Sequence, residues 1–265
     1  VAGTRIAPVT ANSIATINRL APGRTFLGIG TGNTAMRIMG HKPMKMKDFG
    51  EYLRVLRALL HGEEVEMTWQ GVTTPIQFQM QEHSFIDVEN HIPLYVSGFG
   101  PKAQALAGEY GDGLVVSIPP DPNFMRRAML NAQAGAQRGG RSGADYYTCS
   151  LSAVALLEPG EDLGSERVKR DCGAFAIASL HYLYDKVRQF GGEPPRHFAN
   201  IWDEYSALVE RTPVSHRHQR IHAGHCVYHL PEEEKLITPD LIKATCLAGT
   251  PEEIIEQIRV LESTG

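Results

Sequence analysis

The sequence alternates short apolar runs that end in glycine or polar residues with longer segments of helical periodicity. The run Thr25–Gly30 precedes an amphipathic segment over Lys47–Leu60, and Ile92–Ser97 precedes a short helical segment over Lys102–Tyr110. A third run, Asp112–Ser117, follows at once. This order is typical of β/α units, whose strands pair in parallel. We therefore predict an α/β fold in which ligands bind at the carboxyl ends of parallel strands.

The remaining segments interrupt or extend this alternation. Residues 63–91 carry an alternating apolar pattern around Gly71, which predicts a β-hairpin rather than another strand of the sheet. Thr250, Pro251 and Glu253 form a helix-start signature, because threonine and glutamate side chains at this spacing form a capping box. The pattern further predicts a helix over 10–20, a helix within 119–139, a strand over 147–157 and helices over 166–190, 197–211 and 239–247.

Composition argues against two classes of partner. Lys and Arg number 26 against 30 Asp and Glu, so the net charge of -4 provides no basic field for nucleic acid or an anionic bilayer. No stretch reaches the roughly 18 apolar residues that a membrane span requires. The cysteines are widely spaced and form no C-x-x-C pair, which indicates reduced structural thiols in a cytoplasmic protein. They are Cys149, Cys172, Cys226 and Cys246.

Three glycines raise a second possibility for the fold. Gly28, Gly30 and Gly32 are similar to the dinucleotide-binding fingerprint of a Rossmann domain. The last glycine position of that fingerprint holds Asn33, however, and Pro43 interrupts the helix that should follow. An acidic residue at the end of a second strand is also expected about 20 residues further on, where this sequence has a helix. A Rossmann-type NAD enzyme is therefore the less favoured alternative.

The segment Ser97–Gly100 joins a buried strand to a helix that starts at Pro101. Glycines permit close backbone approach, and N–H groups at a helix start face an anion. Pro101 has no N–H, so the predicted donors are the N–H groups of Gly98, Phe99, Gly100 and Lys102. The Ser97 hydroxyl and the Lys102 charge add to them. We interpret these residues as the phosphate end of a cofactor site, with an ordinary tight turn as the alternative.

Five of the 11 histidines lie between residues 216 and 229. His218 and His222 are four residues apart, so a helix would place both on one side of a metal ion. The segment lacks an H-E-x-x-H motif and a nearby cysteine pair, and it reads as an irregular loop flanked by prolines. We therefore predict no metal site, and a solvated loop is the simplest interpretation.

Three segments together resemble one known family. They read ANSIATINRLAPGRTFLGIGTG at residues 11–32, IPLYVSGFGPKAQALAGEYGDG at residues 92–113 and AGTPEE at residues 248–253. In this order they are similar to two motifs and the C-terminal helix start of the luciferase-like monooxygenase family, which comprises flavin- and coenzyme F420-dependent oxidoreductases. The second segment is most similar to the methylenetetrahydromethanopterin reductase-like members. The chain is identified as a member of this family.

The resemblance implies a (β/α)8 TIM barrel. Residues 25–30, 93–97, 113–117 and 147–157 correspond to strands four to seven, and strands one to three and eight have no counterpart. Four strands cannot close such a barrel, and the chain starts at Val1 without an initiator Met, so we expect part of a longer protein whose eighth strand follows Gly265. Residues 1–265 then form one partial barrel domain, with a hairpin insertion at about 63–91 and a helical or loop insertion at about 190–247.

The resemblance also implies FMN or F420 as cofactor and a small-molecule substrate. With FMN it implies oxygen insertion into the substrate, and with F420 it implies hydride transfer. Thr31 and Asn33 would then lie at the barrel mouth against the isoalloxazine or deazaflavin ring, with helix capping as their alternative role. The histidine-rich region would lie near the same mouth and contact cofactor or substrate.

Three further expectations follow from the family. Members form homodimers or tetramers, so we expect a homo-oligomer in the cytoplasm. The general acid or base commonly lies on the early strands, which have no counterpart here, so we assign no catalytic residue. A non-catalytic flavin-binding protein or an inert truncated relative is the alternative function.

Overall fold

The computed structural model describes residues 1–117, 121–142 and 146–264, which divide into two compact units. The first unit comprises Val1–Met36, Lys42–Val116 and Arg127–Ser150, and the second comprises Arg37–His41, Ser117–Arg126 and Leu151–Gly265. Residues 119 and 120, in the segment predicted to hold a helix, and Gly265 lie outside the described residues. The predicted α/β class is confirmed, because helices alternate with the strands of a parallel sheet.

The first unit contains a four-stranded sheet and a separate hairpin. Its strands are β1 (Leu27–Ile29), β2 (Val65–Trp69), β3 (Val72–Ile76), β4 (Leu94–Ser97), β5 (Gly113–Val116) and β6 (Tyr147–Ser150). The sheet order is β1-β4-β5-β6, and all of its strand pairs are parallel. Gly28 lies opposite Tyr95, and Val96 lies opposite Leu114. Parallel pairing brings the carboxyl ends of the four strands to one edge.

Strands β2 and β3 form the hairpin. They pair antiparallel from Val65 opposite Ile76 to Trp69 opposite Val72. Gln70 and Gly71 occupy the turn with φ angles of 51° and 82°. Positive φ at both turn positions is the type I′ geometry, whose twist matches that of the paired strands. The hairpin matches the alternation that residues 63–91 show in the sequence.

Five helices connect these strands. They are α1 (Ala7–Leu20), α2 (Asn33–Ile38), α3 (Met46–Leu60), α4 (Pro101–Tyr110) and α5 (Pro122–Arg138). In α3 the side chains of Phe49, Leu53 and Leu56 follow helical spacing and are fully buried. Each contributes about 1.5–3 kcal/mol by leaving water. The helices predicted over 10–20, 47–60 and 102–110 are confirmed, whereas α2 is an addition.

Helices α4 and α5 cross at glycines. A Cβ on Gly108 would lie 1.8 Å from the Ala132 carbonyl oxygen, and a Cβ on Gly135 would lie 1.8 Å from the Ala105 carbonyl oxygen. Both positions therefore exclude any side chain. The two helix backbones pack directly against each other.

Asp112 ties together the amino ends of β4 and β5. Its Oδ2 accepts the Leu94 N–H at 2.9 Å, and its Oδ1 pairs with Arg141 at 2.9 Å and with Arg57 at 3.4 Å. His91 Nε2 lies 3.4 Å from Oδ2. This end of the sheet is opposite the edge at which ligands are expected, so the carboxylate has a structural role.

The second unit is mostly helical. It contains α6 (Glu166–Phe190), α7 (Arg196–Glu210), α8 (Arg217–Ile221), α9 (Pro239–Thr245) and α10 (Pro251–Glu262), with strands β7 (Val154–Leu156) and β8 (Leu247–Gly249) paired in parallel. Its core is one cluster in which Leu180, Tyr205, Leu236 and Leu241 are fully buried. The helices predicted over 166–190, 197–211 and 239–247 are confirmed, although α9 ends at Thr245 and β8 follows it.

The single strand predicted over 147–157 is wrong. β6 ends at Ser150 and pairs with β5, whereas β7 starts at Val154 and pairs with β8. The chain leaves the first sheet after Ser150, and Leu151, which follows, is more than half exposed. Strand β8 was not predicted.

The start of α10 has the predicted chemistry. Thr250 Oγ1 accepts the Glu253 N–H at 3.3 Å, and Glu253 Oε2 accepts the Thr250 N–H at 2.8 Å. The capping box is confirmed, with Pro251 in the first turn. Across the part of the chain that the structure describes, no helix is long and apolar enough to cross a membrane.

Candidate active site

The ends of β1 and β4 approach each other closely at the carboxyl edge of the sheet. A Cβ on Gly30 would lie 3.2 Å from the Ser97 Cβ, so glycine permits this approach. The Gly30 carbonyl accepts the Ala2 N–H at 3.1 Å, which brings the first residues to the same edge. Thr31 and Gly98 directly follow Gly30 and Ser97. The residues predicted to bind a ring and a phosphate therefore share one edge of the sheet.

Residues 97–100 form a tight turn into α4. A Cβ on Gly98 would lie 2.9 Å from the Gln104 N and 3.0 Å from the Ala103 carbonyl carbon, which are backbone atoms. Position 98 therefore excludes a side chain. Gly100 is the N-cap residue with extended backbone, and Pro101 occupies the first turn as predicted.

The predicted set of backbone donors needs one correction. The Gly98 N–H donates to the Val115 carbonyl at 3.0 Å as part of the β4–β5 ladder, so it does not face an anion. The Gln104 N–H bonds the Gly100 carbonyl at 3.0 Å and begins the intrahelical series. The N–H groups of Lys102 and Ala103 precede that bond at the helix start. Gly98 supplies space rather than a donor, and Ala103 joins the candidates.

A buried glutamine, which the sequence analysis missed, supports the turn from inside. Gln104 is 2% exposed, and its Nε2 donates to the carbonyls of Gly98 at 3.5 Å and Phe99 at 3.4 Å. Asn131 on α5 donates to Gln104 Oε1 at 2.8 Å. The two contacts from Gln104 to the carbonyls are long and individually weak, whereas the hydrogen bond from Asn131 has an ordinary length and strength. A polar residue between the buried alanines of α4 is the signal that could have indicated it.

Thr31 and Asn33 are half-buried beyond the end of β1. Gly32 between them has a φ of 78°, and a Cβ there would lie 2.2 Å from Val1 Cγ1, so the first residue packs over this turn. The Met44 N–H donates to the Thr31 carbonyl at 3.3 Å, and α2 begins at Asn33. Contact with a cofactor ring stays a prediction, and the alternative role of Asn33 at a helix start agrees with its position.

Positive charge lies beside the turn. Lys102 is exposed on the first turn of α4, and with Lys47 and Arg138 it lines a shallow hollow completed by Met46, Pro101, Ala105 and Leu106. Lys47 and Lys102 attract anions, whereas Arg138 is paired with Glu109 Oε2 at 3.1 Å. Phe99 is also exposed, so the tip of the turn is accessible. A phosphate contact for Lys102 stays a prediction.

The histidines do not pair as their spacing suggests. Helix α8 ends at Ile221, so His222 is its C-cap and does not share a helical face with His218. The His218 ring instead lies beside Gly40, with its Nε2 3.7 Å from the Cβ position of that glycine. His222 lies with His181 and His225.

A glycine-containing turn between a parallel strand and a helix start is a common anion-binding arrangement in α/β proteins. The fold and this turn define an α/β protein whose predicted anion-binding turn lies at the carboxyl edge of a parallel sheet. The chain belongs to the luciferase-like monooxygenase family, whose family model matches residues 1–265. The predicted family membership is confirmed.

Curated relatives agree with this assignment. The 5,10-methylenetetrahydromethanopterin reductase of Archaeoglobus fulgidus is 26% identical, and the match covers 97% of this chain and 70% of that protein. The F420-dependent glucose-6-phosphate dehydrogenase of Mycolicibacterium smegmatis is 33% identical, with 89% of this chain and 72% of that protein covered. The 5,10-methylenetetrahydromethanopterin reductase of Methanolobus tindarius is 32% identical, and the match covers 58% of this chain and 45% of that protein. The chain thus spans only part of each relative.

Solved structures show the same fold. The F420-dependent tetrahydromethanopterin reductase of Methanopyrus kandleri has a TM-score of 0.61 at 19% identity, covering 100% of this chain and 72% of that one. An F420-dependent secondary alcohol dehydrogenase in complex with an F420-acetone adduct has a TM-score of 0.62 at 19% identity. The match covers 98% of this chain and 67% of that one. The predicted luciferase-like TIM-barrel class is confirmed, and the incompleteness of the barrel stays a prediction.

Proposed function

We propose that this chain is part of an oxidoreductase that uses coenzyme F420 and transfers a hydride between its deazaflavin ring and a small organic substrate. The turn at residues 97–100 carries the proposal, because Gly98 keeps side-chain atoms away from a helix start at the carboxyl edge of the sheet. Relatives named F420-dependent glucose-6-phosphate dehydrogenases match at up to 33% identity and support F420 as the ligand.

Each residue of the site has a separate task. The N–H groups of Phe99, Gly100, Lys102 and Ala103 bind phosphate oxygens, and the dipole of α4 adds to this attraction. The Ser97 hydroxyl and the Lys102 ammonium contribute further hydrogen bonds. Bound F420 supplies the hydride chemistry. The side chains of Thr31 and Asn33 orient the ring at the end of β1.

Oxygen insertion with FMN is the second candidate. The oxygenating constituent of 3,6-diketocamphane monooxygenase from Pseudomonas putida, solved with FMN, has a TM-score of 0.52 and covers 98% of this chain and 66% of that one. Its 18% identity supports a common fold and no more. Two F420-dependent glucose-6-phosphate dehydrogenases reach 30% and 33% identity, so sequence likeness favours F420.

The wider setting of the protein is part of the same proposal. Relatives in this family extend beyond the matched region, so an incomplete barrel in residues 1–265 agrees with a longer active protein. We place that protein in the cytoplasm as a homo-oligomer acting on a small molecule. The four free cysteines agree with a reducing compartment.

Fluorescence titration with F420 and, separately, with FMN tests the cofactor. The 265-residue chain and the longest natural protein that contains it are titrated in parallel, so that loss of binding through truncation is distinguished from absence of a site. Tighter binding of F420 supports the proposal, and tighter binding of FMN favours the second candidate. Binding of neither cofactor by either protein would refute the site.

Two variants locate the phosphate. Ser97→Ala removes one hydroxyl and is expected to weaken F420 binding by about 10- to 100-fold, the effect of a hydrogen bond to a charged group. Gly98→Ala displaces the start of α4 and is expected to weaken binding further. Gly28→Ala is the matched control, because a Cβ there has no atom within 4 Å. Wild-type affinity in Ser97→Ala would mean that the phosphate binds elsewhere.

A further inference from the structure

Three histidines of the second unit converge on one point. His181 lies on α6, His222 caps α8, and His225 lies in the turn that follows. One ring nitrogen of each lies within 4.8 Å of a ring nitrogen of each of the others. His181 is 1% exposed and His222 is 3% exposed, and His225 is half-buried. Such a cluster is unusual, because the polar atoms of buried side chains normally have hydrogen-bond partners.

Each ring has one nitrogen at hydrogen-bonding distance from a neighbouring side chain. His181 Nε2 lies 3.4 Å from Glu233 Oε1, and His222 Nε2 lies 2.9 Å from Asp185 Oδ2. His225 Nε2 lies 3.1 Å from the Tyr182 hydroxyl. A carboxylate accepts hydrogen bonds only, so His181 and His222 carry their proton on Nε2. Their Nδ1 atoms then carry a lone pair.

These lone pairs accept no hydrogen bond from the residues that the structure describes. The Nδ1 atoms of His181 and His222 are buried, and within the described residues neither has a hydrogen-bond partner. A buried polar atom left in this state destabilises the fold. A lone pair of this kind is satisfied by a hydrogen-bond donor or by a metal ion, and one metal ion between the rings would satisfy both nitrogens at once.

The outer carboxylates are themselves fixed. Arg220 donates to Glu233 Oε1 at 2.9 Å, and the Leu230 N–H donates to Glu233 Oε2 at 2.9 Å. Arg37 lies 3.4 Å from Asp185 Oδ2. Carboxylates that accept the second ring proton of a histidine orient the ring and raise its basicity toward a metal ion. The cluster therefore contains both candidate ligand atoms and the groups that support them.

The environments of His181 and His225 lower their pKa values and so favour the neutral imidazole. Burial lowers the pKa of His181, and its contact with Glu233 only partly opposes this effect. Burial and the neighbouring His222 and His181 lower the pKa of His225 to about 4. Neutral imidazole is the form that ligates a metal ion.

We propose that His181, His222 and His225 bind one divalent transition-metal ion, for which Zn²⁺ is the expected occupant. Imidazole donors suit zinc and its neighbours rather than Mg²⁺ or Ca²⁺, which require oxygen. Zn–N bonds of about 2.0–2.1 Å in a tetrahedron set the nitrogens about 3.3 Å apart, so the rings move inward by about 1.5 Å at most. Water completes the fourth position. The ion links α6 to the turn after α8 and stabilises the second unit.

The experiment uses the 265-residue chain without a histidine tag, because a tag would itself bind metal. After chelator treatment and desalting, Zn²⁺ is added back and bound metal is counted by mass spectrometry. One Zn²⁺ per chain and a Tm that rises with Zn²⁺ concentration are expected. Co²⁺ is the second probe, and it should show the visible absorption of four-coordinate cobalt.

Variants separate this cluster from the other histidines. His222→Gln and His225→Gln should each abolish the cobalt absorption and the Tm increase. His218→Gln is the matched control, because it lies four residues from His222 outside the cluster and should behave like wild type. Asp185→Asn weakens a supporting contact only, and Zn²⁺ affinity should fall by about 10- to 100-fold.

Two results would overturn the proposal. The first is a wild-type chain that binds no Zn²⁺ and shows no cobalt absorption. The second is equal loss of binding in His218→Gln and His222→Gln, which would assign the metal to a site that includes His218. Wild-type measurements decide the first point even where a variant fails to fold, and circular dichroism identifies such a variant.

Discussion

Asp112 offers the sharpest test of how the first unit is held together. Replacing it by Asn preserves the shape of the side chain and removes its charge. The amide oxygen still accepts the Leu94 N–H, whereas Arg141 and Arg57 lose the carboxylate that now lies 2.9 Å and 3.4 Å from them. Two guanidinium groups then face each other without this negative charge.

The size of the effect follows from these contacts. A hydrogen bond to a charged group contributes about 1.5–3 kcal/mol. The contact between Arg141 and Asp112 has the length of an ordinary strong hydrogen bond, and the longer contact with Arg57 is weaker. Asp112 is only 19% exposed, so water compensates in part. We expect Asp112→Asn to lower the free energy of unfolding by about 2–3 kcal/mol at pH 7.

The pH dependence has a definite sign. Burial alone would raise the pKa of Asp112, but the Leu94 N–H and the charges of Arg57, His91 and Arg141 outweigh burial and hold it below its usual value. Such a carboxylate stabilises the fold above the unfolded-state pKa of about 3.9 and loses that effect as pH falls through the lower native value. The difference between the two proteins should persist from pH 7 to about 5 and shrink only below about pH 4.

Urea unfolding followed by circular dichroism measures this difference at each pH. Glu89→Gln is the control, because it makes the same change of charge at an exposed position of the same unit. Equal stability of Asp112→Asn and Glu89→Gln at pH 7 would refute the reasoning. A difference that disappears well above the usual aspartate pKa would refute it as well, since another group would then be titrating.

Three further substitutions test local packing. Gly108→Ala places a Cβ 1.8 Å from the Ala132 carbonyl oxygen, so we expect a loss of about 3 kcal/mol or more in urea unfolding, with Gly28→Ala unaffected. Thr250→Ala removes the N-cap of α10 and should cost about 1 kcal/mol, visible as a lower Tm that Thr250→Ser restores. Gly71→Ala forces alanine to a φ of 82° and should destabilise the hairpin by about 1 kcal/mol, measured as faster amide exchange in β2 and β3.

Periodicity predicted the long elements well. The apolar face of α3 and the helix-start signature at Thr250 are local signals, and the structure has both. Helix α2 was missed because none of its six residues is buried, five being half-buried and Ile38 exposed, so it shows no apolar face. The break between β6 and β7 was missed because strand partners are chosen in three dimensions, whereas residues 147–157 form one continuous run in the sequence.

The candidate sites also divide into features that local sequence signals predict and features that depend on residues distant in sequence. The turn at residues 97–100 was predicted from its glycines, because close backbone approach leaves a trace in the residue types. The engagement of the Gly98 N–H with Val115 left no such trace, since it depends on a neighbouring strand. His181 lies on a helix distant in sequence from His222 and His225, so the cluster appears only when the chain is folded. Spacing alone suggested His218 in its place.

The hydrogen bonds from Gln104 Nε2 to the carbonyls of Gly98 and Phe99 also favour one orientation of the two peptide planes that follow these residues. In a trans peptide the C=O of one residue and the N–H of the next point in opposite directions, and the described peptide bonds include no cis bond. Drawing the Gly98 carbonyl inward turns the Phe99 N–H outward, and drawing the Phe99 carbonyl inward does the same for the Gly100 N–H. Gln104 thus favours an orientation in which two predicted anion-binding N–H groups point outward. Because Asn131 holds that glutamine, α5 helps to set the direction of these donors.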